Sequence, residues 1–267
     1  MERTTSSMTF FRDSLKVQVY ADRKQMGLAA AVLVADQMRT LLQKQERIRM
    51  IFAAAPSQNE FLDALGKAEG IDWKRIDAFH MDEYVGLPES ASQRFGLFLK
   101  RGLFDRVPLG NVHYINPSKD AEEECIRYTK LLTASPVDIV CMGIGENGHI
   151  AFNDPPVADF SDPVWMKRVE LDEACREQQV NDGCFANLDQ VPTHALTLTI
   201  PALLSGKYIY CMVPGPLKRA AVTATLTGPI EPSCPASILR THQGAILFLD
   251  EASYDSGLGL GRNDLGL

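Results

Sequence analysis

Basic residues are in deficit. Lysine and arginine number 27 against 34 aspartates and glutamates, a formal net charge of −7 over 267 residues. A field of that sign argues against a nucleic-acid-binding surface, and an anionic ligand has to be met by local positive charge. Long apolar runs are missing as well: none approaches the roughly 20 residues that span a bilayer. Met1–Ser7 lacks the apolar stretch of a secretory leader. The six cysteines, at 125, 141, 175, 184, 211 and 234, never form a C-x-x-C pair, so zinc or dithiol chemistry is not expected. A cytoplasmic setting is the expectation, with Cys141 and Cys211 as small core residues. No His/Cys/Asp group shows metal-ligand spacing, no Gly-x-Ser-x-Gly elbow is present, and no internal repeat is visible.

What is present is alternation. Helical spacing covers 26–42, 57–65, 93–104, 121–132 and 217–226, and strand-like apolar runs cover 49–55, 75–82, 112–115, 137–142, 208–213 and 245–249. Strands separated by helices predict an α/β fold, doubly wound, with a mostly parallel sheet and helices on both faces. No composition break divides it, so one domain over 1–267 is expected. The polar stretch 155–190 reads as a long irregular lid, and 251–267, with its Gly-rich end, as a mobile tail.

Chemistry concentrates after two of the strands. Gly143-Ile-Gly-Glu-Asn-Gly-His149-Ile-Ala-Phe-Asn-Asp154 follows the run at 137–142. Its glycines permit a sharp turn and a close approach to a ligand, and ligands in open α/β sheets sit beyond the carboxyl ends of strands. His80-Met-Asp-Glu-Tyr-Val-Gly-Leu87 closes the run at 75–82. Adjacent residues on a strand face opposite ways, so Asp82 and Glu83 are expected to differ in role. A carboxylate in a dry cleft is a candidate base toward carbon, although a strand-end carboxylate is often structural. His80 is either a pocket residue or core packing. His113, His194 and His242 read as structural, and Arg240 as a candidate ligand or subunit contact.

Together, M-D-E-Y-V-G-L-P and G-x-G-x-N-G-H-I-A-F-N-D-P resemble the glucosamine-6-phosphate deaminases (isomerases). So do Gln190-Val-Pro192, Ala195-Leu-Thr197, Gly215-Pro-Leu-Lys218 and Pro235-Ala-Ser237, and the likeness runs from about 49 to 250. The resemblance implies a modified Rossmann-like sandwich and conversion of an amino-sugar phosphate to a ketose phosphate and ammonia, with no metal or redox cofactor. It implies Asp82 as the base between C2 and C1, His149 as the ring-opening proton shuttle, and Asp154 as the carboxylate that orients His149. It also implies Lys218 as a phosphate contact, with Ala55, Ser57 and Gly148 lining the sugar phosphate. A small-molecule sugar phosphate is thus the expected partner, with no nucleic acid or membrane, and a homo-oligomer is left open. The related 6-phosphogluconolactonases, and a silent sugar-phosphate-binding regulator, stand as alternatives.

The chain departs from that pattern in four places. Asn147 replaces an aspartate; it can hydrogen-bond but cannot act as a base. Asp154 replaces a glutamate and has a shorter reach. The phosphate turn, Ala53-Ala-Ala-Pro-Ser-Gln-Asn-Glu60, has no glycine, and Pro56 has no N–H. Its Ser57 and Glu60 read as a capping box that would place negative charge near the phosphate. Finally, Val180–Phe185 lacks the arginine that the family uses to hold phosphate, and Arg176 is the nearby candidate to replace it.

Overall fold

The computed structural model describes residues 4–118 and 120–258. The chain opens with a hairpin, β1 (Met8–Arg12) and β2 (Leu15–Tyr20), turning at Asp13, whose φ is 51°. Then follow α1 (Arg23–Leu42), β3 (Ile48–Phe52), a 3₁₀ turn Pro56–Gln58 and α2 (Asn59–Gly66). Next are β4 (Ile76–His80), β5 (Asp82–Tyr84), and α3 (Phe95–Leu99) running into a π-helical turn at Lys100–Phe104. β6 (Asn111–His113), α4 (Ala121–Thr133) and β7 (Ile139–Met142) lead to β8 (Met166–Glu170), α5 (Glu173–Asn181) and β9 (His194–Leu198). The chain continues with α6 (Ile200–Leu204), β10 (Tyr208–Val213), a 3₁₀ turn Pro216–Lys218, α7 (Arg219–Thr227) and β11 (Ala245–Asp250).

Eight strands form one sheet in the order β1-β2-β11-β10-β7-β3-β4-β6, parallel except for the β1–β2 hairpin. Alternate residues of each strand feed opposite cores. Met50 and Phe52 of β3, with Tyr210 and Met212 of β10, pack with Val34 and Met38 of α1 and Phe61 and Leu65 of α2. Ile51, Ile209 and Cys211 face the other side, where Tyr128 and Leu132 of α4, Leu203 of α6 and Val222 and Leu226 of α7 cover the sheet. The doubly wound sheet expected from alternation is therefore present, and Cys141 and Cys211 are buried in it.

One element escapes the sequence reading and three expectations need correction. The N-terminal hairpin was not legible as strands; β2 becomes one only by pairing with β11. The stretch 155–190 is not irregular. It contains β8 and α5, and β8 joins β5 and β9 in a second, antiparallel sheet of three strands. β8 (Met-Lys-Arg-Val-Glu) buries one apolar residue on each face, Met166 and Val169, and lacks the strict alternation that marks a strand in sequence. Residues 251–258 are not a loose tail: Ser253 and Tyr254 are buried, and the Tyr254 ring lies 5.9 Å from that of Phe10. The rest of the expected tail, 259–267, lies outside the described residues. Arg240 is no ligand contact; it is buried, pairs with Asp13 at 2.6 Å and donates to the Gly228 carbonyl, tying the hairpin turn to the body.

Candidate active site

The sheet order reverses between β3 and β7. From β3 the chain winds outward through β4 and β6; from β7 it winds the other way through β10 and β11. The loops that leave these neighbours part at their carboxyl ends, and that split is the expected ligand crevice. A cavity of about 530 Å³, including its open mouth, lies there. Ala54, Ala55 and Ser57 reach it after β3, Gly143, Gly145 and His149 after β7, and Lys218 after β10; Asp82 opens β5 beside them. Segments separated by more than a hundred residues thus bring the predicted carboxylate, imidazole and ammonium to one place.

Asp82 is buried, and burial together with the neighbouring Glu83 carboxylate pushes its acid form well above the ordinary carboxylate range. Glu83 turns the other way, as strand alternation requires. It is fully buried and accepts from the backbone N–H groups of Tyr84, Phe95 and Gly96 at 3.0–3.1 Å, with Arg94 at 3.7 Å. Glu83 therefore caps the first turn of α3, satisfying donors a helix start leaves open. His80 holds the bend between β4 and β5. Its Nδ1–H donates to the Asp82 carbonyl at 2.9 Å, and its Nε2 accepts from the Ile115 N–H at 2.9 Å. That pair of partners fixes a neutral tautomer. Burial drives its pKa down to about 4. His80 is absent from the cavity wall, so of its two readings packing is the one observed, with a positioning contact to the Asp82 backbone.

His149 presents its ring to the cavity from behind Gly145. Its Nδ1 lies 2.7 Å from Asn147 Oδ1 and 3.0 Å from Asp154 Oδ1. Asn147 Oδ1 also accepts the His149 N–H, and its Nδ2 donates to Asp154 Oδ1 at 3.0 Å. Both neighbours of Nδ1 are acceptors, so Nδ1 carries the proton and Nε2 keeps its lone pair. Burial by itself would raise the Asp154 carboxyl, but the hydrogen bonds from His149 and Asn147 outweigh it and hold it below the ordinary range. The shorter side chain of Asp154 spans the distance. An aspartate at 147 would set a second carboxylate 3 Å from the first; asparagine replaces that repulsion with a hydrogen bond. Neither Asn147 nor Asp154 lines the cavity: both act on it through His149.

His149, Asp154 and Cys175 offer ligand atoms within 4.8 Å of one another, a grouping the sequence spacing concealed. Burial and the Asp154 charge push the Cys175 thiol far up. In that state the thiol donates to the Asp154 carboxylate.

Gly145 is required by the ring behind it. A Cβ there would fall inside the His149 imidazole. Gly145→Ala is expected to displace the ring and lower turnover by about 10²-fold, with the urea midpoint changed far less; steady-state kinetics beside denaturation decides it. Gly148 is a correction. Its φ of 87° makes the turn, but it faces Cys234, its N–H is spent on the Gly145 carbonyl, and it does not line the cavity.

The phosphate turn also differs from expectation. Ser57 and Glu60 form no capping box: neither the 3₁₀ turn nor α2 has a side-chain cap. Glu60 turns away to a two-pronged pair with Arg23, at 2.7 and 2.9 Å. Arg23 lies in the first turn of α1, 37 positions away in sequence, so local reading missed it. The consequence is that Glu60 brings no free negative charge to the cavity, and the N–H groups of Ala55 and Ser57 have no partner among the described residues. Lys218 is buried at the cavity wall. Burial pulls its ammonium down, against the attraction of Asp182 and Glu146, and it makes no ion pair among the described residues. Arg176 is no replacement for the missing arginine: it bonds the Leu188 and Val191 carbonyls and lines a different depression, behind Asp154.

Three glutamines in this wall carry no motif, and Gln178 is already satisfied, its Oε1 accepting the Glu146 N–H at 2.7 Å. Gln58 is 1% exposed, and its amide NH₂ faces the Met212 carbonyl at 3.3 Å, which leaves Oε1 as a buried acceptor without a partner. Gln179, on α5, is also buried and its amide bonds to no described residue. The only sequence signal for either was its place, in the turn after β3 or in the stretch marked as a lid.

Residues 21–248 match the family described as glucosamine-6-phosphate isomerases/6-phosphogluconolactonase. Glucosamine-6-phosphate deaminases of Bacillus thuringiensis (strain Al Hakam) and Bacillus cereus (strain B4264) are each 37% identical over 182 residues, 68% of this chain and 68% of theirs. Among solved structures, a monomeric glucosamine-6-phosphate deaminase aligns with a TM-score of 0.79 at 27% identity, covering 89% of this chain and 98% of that one. The 6-phosphogluconolactonase of Thermotoga maritima aligns at 0.73 and 21% identity, over 89% and 100%, a likeness of fold alone. No described helix is long and apolar enough to cross a membrane. With its match across most of its length and its deaminase relatives, this chain belongs to the glucosamine-6-phosphate isomerase/6-phosphogluconolactonase family.

Proposed function

We propose that the chain is an amino-sugar phosphate deaminase–isomerase, with a substrate preference altered at the phosphate end. One observation carries the reading: a carboxyl with a raised pKa and an imidazole backed by a carboxylate face the same cavity. The free Nε2 of His149 takes the proton of the anomeric hydroxyl and returns it to the ring oxygen, which opens the ring. Asp154 and Asn147 hold the tautomer and stabilise the imidazolium, as paired carboxylates do in other acid–base sites. Asp82 then removes the C2 proton, acidified by the neighbouring carbonyl, and delivers it to C1. Water adds at C2 and the amine leaves as ammonia, so amino sugar plus water gives ketose plus ammonia. This sequence of proton transfers requires no metal or redox cofactor. Lys218 and the N–H groups of Ala55 and Ser57 meet the anionic end.

Lactone hydrolysis is the neighbouring reading, but it has no use for a base directed at carbon. The test is ammonia release and ketose formation from phosphorylated amino sugars, run beside 6-phosphogluconolactone hydrolysis. Ammonia with ketose is the expected result; lactone turnover without any ammonia would sink the deaminase reading.

A further inference from the structure

A second cavity adjoins the catalytic one. Ala54, Ala55, Phe95 and Gln179 line both. The second encloses about 540 Å³ including its mouth, and Ser92, Gln93, Phe98, Gly183 and Cys184 stand around it. No residue of its wall is charged. Gly183 sits where the sequence lacks the expected arginine. Its φ is 73°, and an added Cβ there would touch nothing within 4 Å. At the border of the two cavities stands Gln179, a mostly buried residue whose amide makes no hydrogen bond among the described residues and stays open to the cavity. An open amide there is free to donate to or accept from a ligand group.

Charge decides what the junction takes. The catalytic cavity has one cationic side chain, Lys218, an ammonium with no bidentate fork. A phosphate monoester carries between one and two negative charges near neutral pH; a diester carries one and leaves an uncharged arm. We infer that the substrate is an amino sugar whose distal phosphate is a diester, and that the second cavity holds its uncharged, hydroxylated esterifying group. The phenyl faces of Phe95 and Phe98 suit the C–H surface of a polyol or sugar, and the amides of Gln93 and Gln179 suit its hydroxyls. The inference rests on the deaminase reading. The reaction is unchanged: water enters at C2, ammonia leaves, and both phosphate ester bonds stay intact.

The test measures ammonia release by the full chain on three compounds: glucosamine 6-phosphate, its glycerol phosphodiester, and a neutral 6-O-glucosyl glucosamine. The diester is expected to exceed the monoester at least tenfold in kcat/KM. Cys184→Arg and, independently, Ser92→Arg at an exposed wall position each put a guanidinium into the second cavity and are expected to pull that ratio back at least tenfold. A monoester that matches or outruns the diester overturns the inference and leaves the deaminase reading standing, as does a neutral disaccharide that outruns both. A ratio unmoved in both variants overturns the assignment of the arm to this cavity. No ammonia from any compound overturns both readings.

Discussion

Asp82→Asn is expected to lower kcat by about 10³-fold, the scale of a lost general base, while making the protein more stable at neutral pH. The two effects share a cause. Burial and Glu83 raise the native pKa of Asp82, so its contribution to stability is complete below the unfolded-state value and is lost as pH rises through the native one. An enzyme that needs this carboxylate ionised bears that cost at working pH, and asparagine removes both the cost and the base. Urea unfolding of the two proteins between pH 5 and 8 is expected to show the variant's advantage growing with pH. Wild-type kcat/KM is expected to rise with pH through the same ionisation. A variant with wild-type turnover would end the assignment of Asp82 as base.

Acidification is expected to act on the fold through His80. Its pKa is depressed from 6.5 to about 4 by complete burial. A histidine depressed in the native state stabilises the fold above its unfolded value, and that stability is lost as pH falls toward the native one: the unfolded chain takes the proton and the native chain refuses it. Over that window the loss is on the order of 3 kcal/mol. His80→Gln removes the titration. Its urea midpoint is expected to be lower than wild type at pH 7, because the bonds to Asp82 and Ile115 are weakened, but to fall less steeply between pH 6.5 and 4.5. Parallel slopes in the two proteins would show that His80 is not the acid-sensitive group.

Elements with strong local periodicity were legible in the sequence. The core helix α1 and the buried strands β7, β10 and β11 came within a few residues of their observed limits. Partner-dependent elements were not. β1 and β2 read as nothing in particular until β11 gives β2 an edge to join. β8 is short, mostly polar and without strict alternation, so it resembles a loop until β9 pairs with it. The run at 75–82 read as one strand but breaks at Met81, because His80 and Tyr128 pin the bend and the second sheet claims Asp82–Tyr84.

For the site, Asp82, His149, Asp154, Asn147, Lys218, Ala55 and Ser57 were all nameable from motifs, and those residues do gather at or just behind one cavity. Gly148 sits in the right turn but faces away. The capping box failed because a local pattern competes with long-range charge: a two-pronged guanidinium on Glu60 is worth more than a reach back to a backbone N–H. Gln58 and Gln179 carry no motif of their own, and only their surroundings give them meaning.

By itself, then, the sequence determined the alternating pattern that forces a wound sheet, and the acid–base side chains placed after its strands. Periodicity and short motifs are local properties, written in adjacent residues. Tertiary structure alone decided which carboxylate faces ligand and which caps a helix, which cation neutralises Glu60, and how much uncharged space opens beside Gln179. Those outcomes depend on desolvation and on partners far away in the chain, and both exist only once the layers close over the crevice between β3 and β7.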